Sequence, residues 1–131
     1  MRTMLKSKIH RATVTEANVD YEGSITVDAA VLEAADILPY ELVHVLDIEN
    51  GIRLETYAIA GPRDTGVVCI NGAAARLVHR GDLVIILAYR VLANERARGW
   101  KPKLVYVDAD NRITRLGEQV PLPQPLVSIA S

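Results

Sequence analysis

Phenylalanine is absent from this sequence, which contains one tryptophan and five tyrosines among 131 residues. Proteins that bind single-stranded nucleic acid stack bases on aromatic side chains, and this chain has few of them. Lysine and arginine number 15 and the acidic residues 16, so the formal net charge is −1. A nearly neutral chain has no excess positive charge with which to bind a polyanion. We therefore expect no nucleic-acid partner.

Cysteine and long apolar runs are also scarce. Cys69 is the single cysteine, so no intrachain disulfide can form, and the chain suits a reducing compartment. No apolar segment approaches the roughly 20 residues of a membrane-spanning helix. The first residues are polar and basic, without the apolar stretch of a secretory signal. From these absences we predict a cytoplasmic protein without a membrane partner.

The residues that are present predict one globular domain. Half of them are hydrophobic and 24% are charged, a balance typical of a folded protein. We place the domain at residues 1–115, because no linker divides that stretch. Residues 116–131 contain Pro121, Pro123 and Pro125, and we predict a Pro-rich, flexible tail.

Short β-type segments separated by turn residues dominate the pattern, which favours a mostly β fold, either a small barrel or a sandwich. Asn50-Gly51 predicts a type I′ hairpin turn, with positive φ at both residues. Asp28 is a candidate N-cap for a helix over 29–35. A helical turn is predicted over 73–78. Strands are predicted over residues 8–15, 25–27, 42–48, 52–60, 67–70, 83–91 (buried on both faces) and 103–107.

Four blocks of sequence occur in a fixed order: Arg2–Arg11, Tyr21–Val27 with its Gly-Ser pair, Arg53–Tyr57, and Asn71–Ala75. Together they resemble the aspartate 1-decarboxylase family, pyruvoyl enzymes that supply β-alanine for pantothenate and coenzyme A. The resemblance implies a six-stranded double-psi β-barrel with short helices. It also implies assembly as a homotetramer.

The same resemblance implies that the chain cleaves itself between Gly23 and Ser24, giving a β-chain of residues 1–23 and an α-chain of residues 24–131. The Ser24 hydroxyl attacks the preceding carbonyl, and glycine leaves that carbonyl open because it has no Cβ. Elimination and hydrolysis then convert Ser24 into a pyruvoyl cofactor. Its ketone forms a Schiff base with L-aspartate, and the adjacent amide carbonyl accepts the electrons released with carbon dioxide. Whether maturation needs a helper protein stays open.

Arg53 and Tyr57 lie four residues apart in a predicted strand, so both face one side. The guanidinium fork of Arg53 suits a carboxylate substrate, and the resemblance makes Arg53 and Lys8 substrate ligands. It makes Tyr57 the proton donor and gives Thr56 a part in self-cleavage and substrate binding. Thr56 and Tyr57 face opposite sides of an ideal strand, which is a difficulty if both act at one site.

Asn71-Gly72-Ala73-Ala74 places small residues at a helix N-terminus, where backbone N–H groups can bind an anion. In the family, residues matching Gly72, Ala73 and Ala74 hold substrate, and the asparagine matching Asn71 lies near the pyruvoyl group. Arg76 departs from the histidine common at that place in the family.

Two further residues belong to the predicted site. His10 either helps to position the cleavage loop or has a structural role, and Tyr21 frames the site just before the cut. His44, His79 and Cys69 are scattered without metal-ligand spacing, so we expect no metal.

Two other interpretations remain open at this point. The chain could be a non-enzymatic small β-barrel that binds a peptide or assembles through its strand edges and is never cleaved. It could also be a barrel-type DNA-binding regulator, which the nearly neutral charge disfavours.

Overall fold

The computed structural model describes residues 1–122, in which nine strands form one mixed sheet. The order of the strands across the sheet is β2-β6-β3-β5-β4-β7-β1-β8-β9. The predicted mostly β class is confirmed, and the sheet is consistent with a small β-barrel. The strands are β1 (Arg2–Thr13), β2 (Glu16–Asn18), β3 (Ser24–Asp28), β4 (Leu42–Asp47), β5 (Arg53–Gly61), β6 (Val68–Asn71), β7 (Leu83–Leu92), β8 (Lys103–Val107) and β9 (Ile113–Gly117).

The helical segments are short, as predicted. They are α1 (Ala29–Ala34), α2 (Asn94–Ala97) and a 3-10 helix over Gly72–Arg76. The Asp28 side chain caps α1 by accepting from Ala30 N at 2.9 Å, which confirms the predicted N-cap. Burial disfavours the charged form of Asp28, but backbone N–H donors from Gly66, Ala30 and Asp64 outweigh it and lower the pKa.

The core lies on one face of the central strands because apolar residues alternate along them. Ile9, Ile86, Val45 and Leu54 form one inward-facing row across β1, β7, β4 and β5. The first three of these side chains are fully buried. The neighbouring row, on the opposite face, consists of Lys8, Leu87, His44 and Glu55.

Three pairs of strands run parallel: β1 with β8, β2 with β6, and β3 with β5. These pairings join segments far apart in sequence, so local patterns could not predict them. The described residues contain nine strands where the expected barrel has six. The short edge strands β2 and β9 account for part of the difference.

Two local predictions need correction. Among Asn50 and Gly51, only Gly51 has positive φ, at 75°, so the turn is not type I′. Gly51 N instead donates to Asp47 O, which closes a longer loop. Strand β7 was predicted to be buried on both faces, but Leu83 and Ile85 are half-buried and Val91 near its end is 56% exposed.

The C-terminal part of the structure extends beyond the last predicted strand. Strand β9 pairs with β8 and ends at Gly117, two residues into the segment predicted as a tail. Residues 123–131, which include Pro123 and Pro125, lie outside the described part of the chain.

Candidate active site

Ser24 and Asn71 face each other at the ends of β3 and β6. The Ser24 side chain is buried, and its hydroxyl donates to Glu22 O at 3.1 Å. The Asn71 amide donates to Ser24 Oγ at 3.0 Å and to Thr26 Oγ1 at 3.1 Å. The hydroxyl that begins the predicted cleavage is therefore fixed by one donor and one acceptor inside the protein.

Gly72 comes into very close contact with the chain at Gly23. A Cβ placed on Gly72 would lie 2.6 Å from Gly23 Cα and 3.1 Å from Tyr21 O, and Gly72 has φ of +79°. A Cβ on Gly23 would meet nothing within 4 Å, and Gly23 does not have a positive φ. The steric need for glycine therefore lies at Gly72, across from the predicted cleavage site.

An open pocket of about 510 Å³ adjoins this contact. The pairing of β3 with β5 begins where Ile25 lies opposite Ala58. The part of β5 before Ala58 therefore has a free edge on the side that faces β3. That edge forms one wall of the pocket, and the 3-10 helix forms another. The pocket is lined by Gly23, Leu54, Glu55, Thr56, Tyr57, Asn71, Ala73, Ala74 and Leu77.

Thr56 and Tyr57 both line the pocket although they face opposite sides of β5. The pairing of β5 with β4 runs without a register shift from Arg53 to Tyr57, so no bulge is involved. A free strand edge presents side chains from both of its faces, which brings the two residues to one pocket. Tyr57 also contacts Tyr40, with ring centroids 6.1 Å apart.

The 3-10 helix begins at Gly72, and Asn71 makes no side-chain cap to it. Asn71 Oδ1, the atom that would accept a capping bond, accepts from Cys69 Sγ instead, so the first backbone N–H groups of this helix have no cap from that side chain. Ala73 and Ala74 line the pocket with small side chains. Arg76 is exposed and does not line it.

Comparisons with known proteins show which family the chain belongs to. The family model described as aspartate decarboxylase matches residues 1–114. The aspartate 1-decarboxylase of Syntrophus aciditrophicus (strain SB) is 60% identical over 112 residues, which is 86% of this chain and 97% of that protein. The chain belongs to the aspartate decarboxylase family.

Membership of this family is consistent with a pyruvoyl cofactor. The residues around Ser24 fit such a group. The cradle formed by Gly72 against Gly23 has no room for a Cβ. The buried Asn71 amide already points a donor at Ser24 Oγ. A carbonyl group at residue 24 would therefore find a hydrogen-bond donor in place.

Arg53 lies next to the pocket but not in its lining. It is exposed, and its Nη1 donates to His44 Nδ1 at 3.0 Å. It shares the outer face of β5 with Glu55 and Tyr57, as the alternation of the strand predicts.

The structure does not bring Lys8 and His10 to this pocket. Both lie on β1, which β7 and β4 separate from β5 in the sheet. The His10 ring packs edge-on against Tyr106 at 5.6 Å, and its buried Nδ1 has no partner within residues 1–122. Burial, assisted by the nearby Lys8 and Arg11 charges, lowers the pKa of His10.

Tyr21 is 61% exposed, and its carbonyl oxygen lies beside Gly72. Sequence reasoning missed Thr26 and Cys69, which surround the Asn71 amide. Cys69 Sγ donates to Asn71 Oδ1 at 3.2 Å. Burial raises the pKa of this thiol, and the nearby Glu16 carboxylate raises it further. Ser24 and Thr26 are two residues apart on one strand, as are Cys69 and Asn71, so each pair shares a face of its strand. That spacing is the sequence signal that could have identified Thr26 and Cys69.

Within residues 1–122 no three histidine, cysteine or acidic side chains cluster in a way that could hold a metal ion. The helices of the same part of the chain are too short or too polar to cross a membrane.

Proposed function

We propose that this chain is an aspartate 1-decarboxylase that converts L-aspartate to β-alanine and carbon dioxide after cleaving itself between Gly23 and Ser24. The observation that carries the proposal is the junction of Gly23, Asn71 and Tyr57 at one pocket, directly beside the buried Ser24 hydroxyl. Membership of the family supports the reaction class.

Self-cleavage begins with Ser24 Oγ attacking the Gly23 carbonyl carbon. An ester bond forms, the peptide C–N bond breaks, and the hydroxyl proton passes to the freed nitrogen. Thr56 lines the pocket together with Gly23, which suits its hydroxyl for donating to the Gly23 carbonyl oxygen as negative charge develops there. Asn71 keeps Ser24 Oγ at the end of β3 through its amide donor.

In the mature enzyme Ser24 would be converted to a pyruvoyl group, which the Asn71 amide and the cradle at Gly72 would hold. When formed, this group supplies the electron sink that decarboxylation requires. Tyr57 stands at the wall of the same pocket and donates the proton that replaces the lost carboxylate.

Substrate binding uses charged side chains and backbone N–H groups. The guanidinium of Arg53 grips one carboxylate of L-aspartate through its two-pronged donor geometry. Backbone N–H groups at Gly72, Ala73 and Ala74 provide further donors, with no large side chain in the way. Lys8 completes the set from another copy of the chain, because its own strand lies away from the pocket. This arrangement needs at least two copies of the chain, and the family resemblance supports a homotetramer. A cytoplasmic location suits the single cysteine.

Mass spectrometry of the purified protein tests this proposal. We expect the 14.4 kDa chain to split into residues 1–23 and 24–131, with the larger fragment blocked at its N-terminus and reactive toward carbonyl reagents. Ser24→Ala should abolish both cleavage and the release of carbon dioxide from aspartate. A wild-type chain that stays whole after prolonged warming would favour a non-enzymatic barrel, and a decarboxylating Ser24→Ala variant would contradict the pyruvoyl assignment.

A further inference from the structure

His44 lies between two charged side chains of β5. Its Nδ1 is 3.0 Å from Arg53 Nη1, and its Nε2 is 3.4 Å from Glu55 Oε1. The register of β4 and β5 sets His44 directly opposite Glu55 on the outer face. The imidazole therefore bridges a cation and an anion that belong to the same strand.

The hydrogen-bond chemistry of these groups determines the tautomer of His44. A guanidinium can only donate, so His44 Nδ1 must accept. The ring is then neutral, with its proton on Nε2, which faces the Glu55 carboxylate. Tyr89 of β7 packs edge-on against the ring at 5.0 Å and supports this orientation.

Arg53 and Glu55 would pair directly if the ring were removed. They lie two residues apart on one face of a strand, so their Cα atoms are about 6.6 Å apart, within reach of both side chains. A Glu55 carboxylate on the guanidinium would occupy the two donors that a carboxylate ligand needs. Glu55 also lines the pocket, which places it close to any bound substrate.

We propose that His44 is a positioning residue that keeps the Arg53 guanidinium available for a substrate carboxylate by separating it from Glu55. The neutral ring nitrogen is a weaker acceptor than a carboxylate, so a dicarboxylate displaces it from Arg53. Glu55, in contrast, would compete with substrate for the same donors. This inference rests on the proposed function, in which Arg53 binds L-aspartate.

Steady-state kinetics on the mature enzyme test the role of His44. His44→Ala should raise KM for aspartate by about threefold to tenfold, with kcat changed by less than about twofold. Self-cleavage should be unchanged, because Ser24 lies on another strand. His44→Asn places an amide oxygen where Nδ1 stands, so it should retain a KM close to that of the wild type.

The double variant His44→Ala with Glu55→Gln separates this role from a merely structural one. With the competing carboxylate removed, KM should return toward the wild-type value. The inference is wrong if His44→Ala leaves KM unchanged, if Glu55→Gln gives no recovery, or if His44→Asn behaves like His44→Ala. His44→Leu, which fills the volume of the ring, replaces the alanine variant if the latter does not fold.

Calorimetric titration with succinate distinguishes failure of this inference from failure of the proposed function. Succinate has two carboxylates but no amine, so its binding requires no turnover. Weaker succinate binding in His44→Ala supports the inference even if the wild type releases no carbon dioxide from aspartate. If the wild type decarboxylates aspartate, and His44→Ala binds succinate as tightly as the wild type does, the inference is wrong while the proposed function stands.

Discussion

Single residues at the pocket are constrained by contacts that come from a distant part of the sequence. Gly72 has φ of +79°, and a Cβ there would overlap Gly23, forty-nine positions earlier in the chain. Gly51 has a similar φ of +75°, but a Cβ there would meet nothing within 4 Å. The two glycines therefore share a backbone requirement and differ in whether they contact the site.

Gly72→Ala should block self-cleavage, because the new methyl group displaces the Gly23 segment from the Ser24 hydroxyl. We expect the cleavage rate to fall by about tenfold or more, alongside a loss of about 1 kcal/mol of stability from the strained φ. Gly51→Ala has the same φ penalty without the overlap, so it is the matched control, with a smaller loss of stability and normal cleavage. Intact-mass time courses and thermal melts measure both effects. Equal cleavage rates in the two variants would contradict the close-contact argument.

Asp47 is a second residue whose surroundings predict a measurable effect. Burial, together with the neighbouring Asp82 carboxylate, raises the pKa of Asp47 to about 6. Its Oδ2 has no donor within residues 1–122, so the protonated form, which can donate to Asp82, suits the folded state. A carboxyl whose pKa is raised on folding stabilises the protein at low pH. That stability is lost as pH rises from about 4 through about 6.

Asp47→Asn should therefore stabilise the protein above pH 7, where an asparagine amide donates to Asp82 without any proton uptake. We expect a gain of roughly 1 kcal/mol, or about 4 °C in Tm for a domain of this size. The gain should shrink as pH falls from 7 toward 4. Asp20→Asn, at an exposed position, controls for the change in net charge. A pH-independent difference between Asp47→Asn and the wild type would rule out the titration of Asp47 as its cause.

At the scale of secondary-structure elements, the free edge of β5 creates the pocket. Strand β3 begins only at Ser24, so residues 53–57 have a partner strand on the β4 side alone. This geometry removes the conflict between Thr56 and Tyr57 that alternation implied. It also separates their proposed roles, since Thr56 would act on the Gly23 carbonyl and Tyr57 on the substrate carbon.

Variants at these two positions should therefore affect different steps. Thr56→Val removes the hydroxyl donor and should slow self-cleavage by about 100-fold. Tyr57→Phe should leave cleavage intact and reduce turnover by about 100-fold. Mass spectrometry follows the first effect and release of carbon dioxide the second. A Tyr57→Phe variant that stays uncleaved would show that the two roles are not separate.

Local patterns predicted the elements of this site better than their arrangement. Strand β8 and the Asp28 cap lie where the sequence placed them, because alternation and capping depend on neighbouring residues. The parallel pairing of β3 with β5 depends on contacts across more than thirty positions, which no local signal carries. The contact of Asn71 with Thr26 follows from the antiparallel pairing of β3 with β6, which also joins distant positions, and it was missed for the same reason.

At the scale of the whole molecule, Lys8 and the pocket lie on separate parts of the sheet. Lys8, Leu87, His44 and Glu55 form one row on the outer face, so three strand spacings of about 4.8 Å each separate Lys8 from β5. L-Aspartate is too small to span that distance. A site shared by two copies of the chain, with Lys8 from one and Tyr57 from the other, would bring both residues to the substrate, and the proposed oligomer supplies such a site.

Mixed oligomers of two inactive variants test this arrangement. Lys8→Ala and Tyr57→Phe should each lose most activity alone, and co-expression should restore part of it. If Lys8 and Tyr57 of one site come from different chains, random assembly of equal amounts of the two variant chains leaves about a quarter of the sites with both native residues. If both residues act within one chain, every site in the mixture carries one defect, and no activity returns. Activity in co-expressed oligomers, compared with the separately purified variants, therefore decides whether each site is built from two chains.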